Sequence, residues 1–243
     1  MNGLASVLAN VLAIDTCFGA VSVAVRSSDA SSPGMHSACE AMTAGHAERL
    51  IPMIAEVMDA ARTTFPSIKR LAVTIGPGTF TGVRTGIAAA RALSLAAGGV
   101  PVVGTTSLAV MMHDVVLQLG AARDERPIAI AVDARRGEVY FQLFGATFAD
   151  PLTEPGILSI SDAAARLPAG PCIVAGSGAQ LLAAVSGVAS SALEPMLEDL
   201  QPHARTLALM SDLLPVLDPV NPLYLRPPDA KPQTGKSLPR VAE

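Results

Sequence analysis

The residues best suited to chemistry in this 243-residue chain lie between Ile75 and Arg84, read IGPGTFTGVR. Gly76, Gly78 and Gly82 stand between an apolar run and an Ala-rich stretch. Glycines between a strand end and a helix start leave backbone N–H groups open to phosphate, and the helix dipole favours the anion. Two standard nucleotide readings nevertheless fail here. A Walker loop closes on Lys-Ser/Thr, whereas Gly82 is followed by Val83-Arg84. A dinucleotide turn needs a third glycine where Thr81 stands and an acid about twenty residues further on, yet no Asp or Glu occurs from Gly76 to Met112.

Carboxylates form the second candidate set. Asp15 ends the apolar run Val11–Ile14, and Asp133 ends the run that starts at Ile128. Each is followed by a turn glycine, Gly19 or Gly137, and then by an alternating strand, Ala20–Arg26 or Glu138–Phe144. The pattern Asp-x3-Gly-x-Val thus recurs 118 residues apart, at Asp15 and Asp133. Gly176-Ser177-Gly178, between Ile173–Ala175 and a helix over Ala179–Val185, repeats the Ile75, Gly76-Pro77-Gly78 arrangement. Two matches in the same order predict a duplicated α/β lobe. Metal chemistry has little to stand on: His36, His46, His113 and His203 are isolated and no HExxH or GxSxG occurs, while a catalytic metal needs about three protein ligands. No metal and no cofactor are expected. Cys17, Cys39 and Cys172 are widely spaced and read as buried thiols, without disulfide or zinc.

These residues need elements to hold them. Leu71–Ile75 reads as a strand, Thr81–Ala97 as a helix stopped by Gly98-Gly99, and Val100–Gly104 as a second strand; strand, helix, strand is the unit of a parallel sheet. Gly82, Gly86 and Ala90 form a small-residue stripe that suits close packing, either on the sheet or on a helix of a partner chain. His36–Ala41 is a weaker strand. In His46–Ala61 the positions Leu50, Ile51, Ile54, Val57, Met58 and Ala61 fit a helical period; Pro52 suggests a regular helix from nearer Ile51, with Met53 and Ala60 away from the main stripe. Ser107–Leu119 and Ala204–Leu214 read as further helices, and Ala121–Pro127 as a charged break between lobes.

Composition narrows the function. Half the residues are hydrophobic, enough to bury a core. With 21 acids against 17 bases, no Trp, two Tyr and six Phe, the chain lacks the clustered charge and the stacking surface of a strong nucleic-acid binder. The uncharged run Ala92–Met112 is interrupted by Gly98-Gly99 and Pro101, so no membrane span is expected. The apolar N-terminus has no Lys or Arg before Arg26, unlike a secretory signal, and the expected location is cytoplasmic.

A duplicated lobe with an Asp-bearing hairpin in each half is similar to the actin-like (ASKHA, ribonuclease H-like) ATPase fold, with mixed sheets flanked by helices. Within it, IDT at Ile14–Thr16, HAERLIPMI, IGPGTFTGVRTGIAAARAL, VDARRGEVY and NPLYLR together resemble the bacterial TsaB family, also called YeaZ and once grouped with M22 peptidases. The resemblance implies a first lobe over 1–106, a second over 107–199, a returning segment over 200–225 and a flexible basic tail over 226–243. It implies a non-catalytic subunit needed for N6-threonylcarbamoyladenosine in ANN-decoding tRNAs. That subunit pairs with TsaD through the helices near 46–61 and 81–97, joins TsaE, works beside TsaC, and forms a homodimer when alone. Met53, Ala60, Thr85, Ala89 and Ala92 are then the expected partner contacts. Asp15, Gly76, Gly78 and Asp133 are expected to be remnants of a nucleotide site, because Thr16-Cys17-Phe18 and Ala134-Arg135-Arg136 replace phosphate-wrapping turns. Arg135 and Arg136 are candidate contacts to tRNA, reached only through the complex, or to a nucleotide. No catalytic residue and no peptidase activity are expected; the alternative is a stand-alone actin-like ATPase or phosphotransferase using Asp15 and Asp133.

Overall fold

In the strand Ala20–Ser27 the alternation of Val21, Val23 and Val25 with Ala20, Ser22 and Ala24 has a packing reason, because both faces are covered. The valines face the main core; the small residues let a C-terminal helix lie close on the other side. The computed structural model describes residues 9–28, 33–120, 124–145, 151–185 and 193–226. The expected tail from 227 onward and most of the N-terminal extension lie outside the described residues.

In chain order the elements are β1 (Val11–Asp15), β2 (Ala20–Ser27), β3 (Gly34–Ala41), α1 (His46–Ala60), β4 (Arg70–Thr74), α2 (Phe80–Ala96), β5 (Val102–Thr105), α3 (Ser107–Leu119), β6 (Ile128–Asp133), β7 (Glu138–Phe144), β8 (Gly156–Ser159), α4 (Ile160–Ala165), β9 (Cys172–Ala175), α5 (Ala179–Val185), β10 (Leu193–Met196) and α6 (Ala204–Met210). Two five-stranded sheets result, ordered β3-β2-β1-β4-β5 and β10-β9-β6-β7-β8. In each, a hairpin and a third strand are antiparallel, and two further strands run parallel to the first. The second sheet repeats the first in strand order and direction, as the duplicated motifs predict.

The hairpins differ in register. Asp15 pairs with Ser22, whereas Asp133 pairs with Val139, so the second hairpin is one residue tighter than the aligned motifs suggest. Thr79, Thr106 and Ser159 cap α2, α3 and α4 by accepting from the amides of Gly82, Ala109 and Asp162. Among the described residues no helix is long and apolar enough to cross a membrane.

Some local expectations change. The first helix begins at His46 and carries Pro52 inside it. Pro52 lies on the exposed side of the helix. The buried stripe takes Leu50, Met53, Ile54, Val57 and Met58 and leaves Ile51 54% exposed, so Met53 and Ile51 exchange their expected places. The stripe is rotated by a fraction of a turn, a shift that periodicity alone does not fix. Helix α6 stops at Met210, short of Leu214. Cys39, expected to be buried, is exposed on β3 at the sheet edge. All three thiols are free.

Candidate functional site

The glycine turn after β4 is filled by the chain itself. Thr79 N donates to Cys17 O at 2.7 Å, Gly82 N to the Thr79 hydroxyl at 3.1 Å and Val83 N to Thr79 O at 3.0 Å, so these amides are committed internally. A Cβ on Gly78 would overlap the Cys17 carbonyl, and one on Gly76, at φ +107°, would lie 2.8 Å from Leu223 O. The turn needs glycine because backbone, not phosphate, presses against it. Thr16 completes the closure: its hydroxyl donates to Gly82 O at 2.6 Å, and the stripe of Gly82, Gly86 and Ala90 is buried on this side. The stripe therefore serves packing of α2 on its own sheet.

Asp15 lies beneath this closure with no exposure. It accepts from the Thr74 hydroxyl and, at 3.4 Å, from Cys17 N. Burial pushes its carboxyl up to about 7, only partly offset by those hydrogen bonds. Burial likewise raises the Cys17 thiol well above its ordinary value. Asp114 of α3, bonded to the Thr206 hydroxyl and to His203 N at 3.2 Å, is pushed up to about 6, again chiefly by burial.

Asp133 has a different setting. Its side chain is 31% exposed and accepts from Arg135 N at 2.8 Å, closing a local turn. Its own N donates to the Ser177 hydroxyl at 3.0 Å. Arg135 and Arg136 sit at the exposed tip with φ of 65° and 58°, and Arg135 is 87% exposed. This tip adjoins the C-terminal segment, since Arg226 pairs with Glu138. Two residues earlier in that segment Tyr224 stacks on Phe80, and its hydroxyl accepts from Arg84 Nε at 2.6 Å, while the guanidinium lies 3.6 Å over the Phe80 ring. Thus Asp15, Gly76 and Gly78 converge in the first lobe and Asp133 stands in the second.

The outer faces of α1 and α2 hold the remaining candidates. Ala60 and Ala92 are exposed, Thr85 and Ala89 are half-buried, and Ala89 leans on the core. Met53 is fully buried and is corrected out of this surface. Leu95 of α2 is 80% exposed, and Ile51 of α1, 54% exposed, lies across the buried stripe from Ala60.

A family model described as TsaD, tRNA N6-adenosine threonylcarbamoyltransferase, matches residues 39–198. The tRNA threonylcarbamoyladenosine biosynthesis protein TsaB of Escherichia coli is 36% identical over 131 residues, 54% of this chain and 53% of that protein. The match thus spans about half the length of that relative. An uncharacterised protein of Mycobacterium tuberculosis is 33% identical over 226 residues, 93% of this chain and 95% of its own. The solved structure of YeaZ from Pseudomonas aeruginosa superposes with a TM-score of 0.74 at 26% identity, covering 89% of this chain and all of that one. The chain belongs to the TsaB/YeaZ family. Its two mixed sheets flanked by helices are those of the actin-like ATPase fold.

In this TsaB/YeaZ chain, residues that sequence reasoning passed over do much of the closing. Thr16 and Leu223 belong to motifs singled out for resemblance, but nothing local shows that they meet the glycine turn. Thr74 carries no signal beyond being a polar residue at a strand end. Among the described residues no group of three or more His, Cys, Asp or Glu is placed to hold a metal. His113 is half-buried on α3 with Nδ1 3.0 Å from Ala109 O, and burial keeps its pKa below the usual imidazole value.

Proposed function

We propose that this chain is a non-catalytic scaffold subunit for formation of N6-threonylcarbamoyladenosine in ANN-decoding tRNAs, and that it binds and stabilises the catalytic subunit TsaD. The observation that carries the reading is the self-filled glycine turn: backbone of Cys17 and Leu223 presses on Gly78 and Gly76, and the amides of Thr79, Gly82 and Val83 are already bonded within the chain. These features weigh against the alternative, a self-sufficient ATPase using Asp15 and Asp133. The names of the relatives supply the pathway.

TsaD docks on the outer faces of α1 and α2, with Ala60 on the first and Thr85, Ala89, Ala92 and the exposed Leu95 on the second. A second copy of the chain takes that face in the absence of TsaD, and TsaE joins the pair. Arg135 and Arg136 contact tRNA or a nucleotide only within the assembly.

The test is tRNA threonylcarbamoylation by TsaC, TsaD and TsaE with and without this chain, alongside ATP hydrolysis by the chain alone. Dependence on the chain with no intrinsic turnover supports the scaffold. Turnover by the chain alone, with modification indifferent to it, refutes it. Ala92→Glu should weaken the complex with TsaD at least about tenfold, read by calorimetry, while the melting temperature of the isolated chain stays within a few degrees.

A further inference from the structure

Segment 220–226 crosses one flank of α2 and reaches the second lobe. Val220 O accepts from Arg91 of α2, Leu223 N donates to Ile75 O at 2.7 Å, and Tyr224 stacks on Phe80 with ring centroids 5.5 Å apart. Two residues further on Arg226 pairs with Glu138, which follows the tip glycine Gly137. A continuous run of contacts thus links Phe80 and Arg84 in the first lobe to Arg135 and Arg136 in the second. At about 100° per residue, Phe80, Arg84 and Arg91 fall roughly a third of a turn from Thr85, Ala89 and Ala92. This face is therefore distinct from the one assigned to TsaD.

Its chemistry runs against the balance of a chain with 21 acids and 17 bases. Phe80 and Tyr224 are 51% and 42% exposed. The Arg84 guanidinium lies 3.6 Å over the Phe80 ring, and its Nε donates to the Tyr224 hydroxyl at 2.6 Å. The terminal amino groups remain as donors, and among the described residues no carboxylate pairs with Arg84. At the tip, Arg135 meets Asp133 only at 3.6 Å while 87% exposed, a pair too solvated to cancel its charge. Arg135 also holds φ of 65°, which glycine adopts more easily. Stability alone favours glycine at that exposed position; a charge directed at a ligand accounts for the arginine. An acidic peptide would satisfy the guanidiniums but leave the exposed ring surface of Tyr224 without a planar partner. A nucleotide strand brings both, phosphates for the arginines and a base for the platform.

We propose that this face takes a single-stranded stretch of RNA, with one unpaired base on the platform of Tyr224 and Arg84 and the neighbouring phosphates against Arg135 and Arg136. The inference rests on the scaffold reading, which brings RNA to the assembly, and extends the contact from the hairpin tip across to the first lobe. The surface serves RNA held by the assembled complex, since the chain as a whole carries a net negative charge.

The experiment is fluorescence anisotropy with this chain assembled on TsaD, using an RNA hairpin with an unpaired loop and a blunt RNA duplex with the same number of phosphates. Tyr224→Leu should weaken binding of the hairpin about tenfold and leave the duplex within about twofold. Tyr224→Phe, which keeps the ring, should retain most of the hairpin affinity. Arg135→Gln combined with Arg136→Gln should weaken both RNAs and lower the salt slope by roughly one to two. Unchanged hairpin affinity in Tyr224→Leu, or an equal loss on hairpin and duplex, overturns the proposal. Calorimetry of each variant with TsaD separates the two readings. Failure of the unmodified chain to bind TsaD overturns the scaffold reading and this inference with it, whereas intact TsaD binding with unmoved RNA affinity overturns this inference alone. A loss of TsaD affinity in Tyr224→Leu makes the face a protein contact and also overturns it. The tip variants lie on an exposed turn, so an unchanged RNA affinity and salt slope there overturn the proposal even if Tyr224→Leu does not fold.

Discussion

Two hairpins with the same acid-turn-glycine pattern end in opposite surroundings. In the first, Asp15 is sealed under Thr16, Cys17, Thr74 and the glycine turn, and burial drives its carboxyl up to about 7. In the second, Asp133 is 31% exposed and its carboxylate is spent on the amide of Arg135. The flanking glycine motifs differ at their second glycine but not at their first, where a Cβ on Gly176 would lie 2.5 Å from Ala131 O and one on Gly76 2.8 Å from Leu223 O. Gly78 lies against the backbone of the opposite turn, while a Cβ on Gly178 would meet the Val139 side chain at 3.0 Å and Ala131 backbone no nearer than 3.2 Å. A shared pattern therefore preserved the architecture of both lobes, while the chemistry of each acid followed from what packs over it.

The largest test of this contrast is at the glycines. Gly78→Ala should destabilise the chain by about 3 kcal/mol or more, because backbone must move, whereas Gly178→Ala should cost about 1 kcal/mol, because its neighbours need give by only a few tenths of an ångström. Urea unfolding of the two variants compares them directly; equal losses would erase the difference between the lobes.

Next in size is the pH dependence. The native carboxyl of Asp15 holds its proton up to about 7, while the unfolded one releases it near the ordinary value of 3.8. The native state then binds more protons over that interval, so this group lowers stability as pH rises from about 4 to about 7. At about 1.4 kcal/mol per unit, the loss between pH 5 and pH 7 is on the order of 3 kcal/mol. Asp114, pushed up to about 6, adds a loss in the same direction over a narrower window. Asp15→Asn should flatten the decline in urea midpoint between pH 5 and pH 8; an unchanged slope would show that Asp15 ionises freely. Asp133→Asn should change stability by less than about 0.5 kcal/mol at either pH, since an amide oxygen can still accept from Arg135 N.

The smallest effect lies at the second hairpin tip. Arg135 has φ of 65°, and Arg135→Gly should stabilise the fold by about 0.5 to 1 kcal/mol by relieving a left-handed non-glycine residue. If the same variant slows tRNA modification in the reconstituted system, the strained arginine is kept for contact; an unaffected rate would assign the tip to structure alone.

The long periodic or punctuated segments were legible before the fold was known. The Asp15 and Asp133 hairpins, the helix after the glycine turn, the Ser107–Leu119 helix and the Gly-x-Gly echo at Gly176 all come from patterns complete within a few residues. Short elements were less so: β8, α4 and β10 have four to six residues, too few for a period to stand out. The exchange of Ile51 and Met53 has a related cause. Both are apolar and both border the stripe, and the rotation of α1 is set by what it packs against rather than by its own spacing.

What the sequence determined by itself is the duplicated α/β architecture, the positions of both acids at strand ends and the failure of the standard nucleotide motifs, because each depends on local residue types and their spacing. Only the tertiary structure decided that Asp15 is sealed, its carboxyl pushed up to about 7, while Asp133 keeps contact with solvent, and that Cys17 and Leu223 pack against the glycine turn. Those outcomes depend on which distant backbone or side chain comes within a few ångströms. That proximity belongs to the packed chain, where residues as far apart in sequence as Gly76 and Leu223 come into contact.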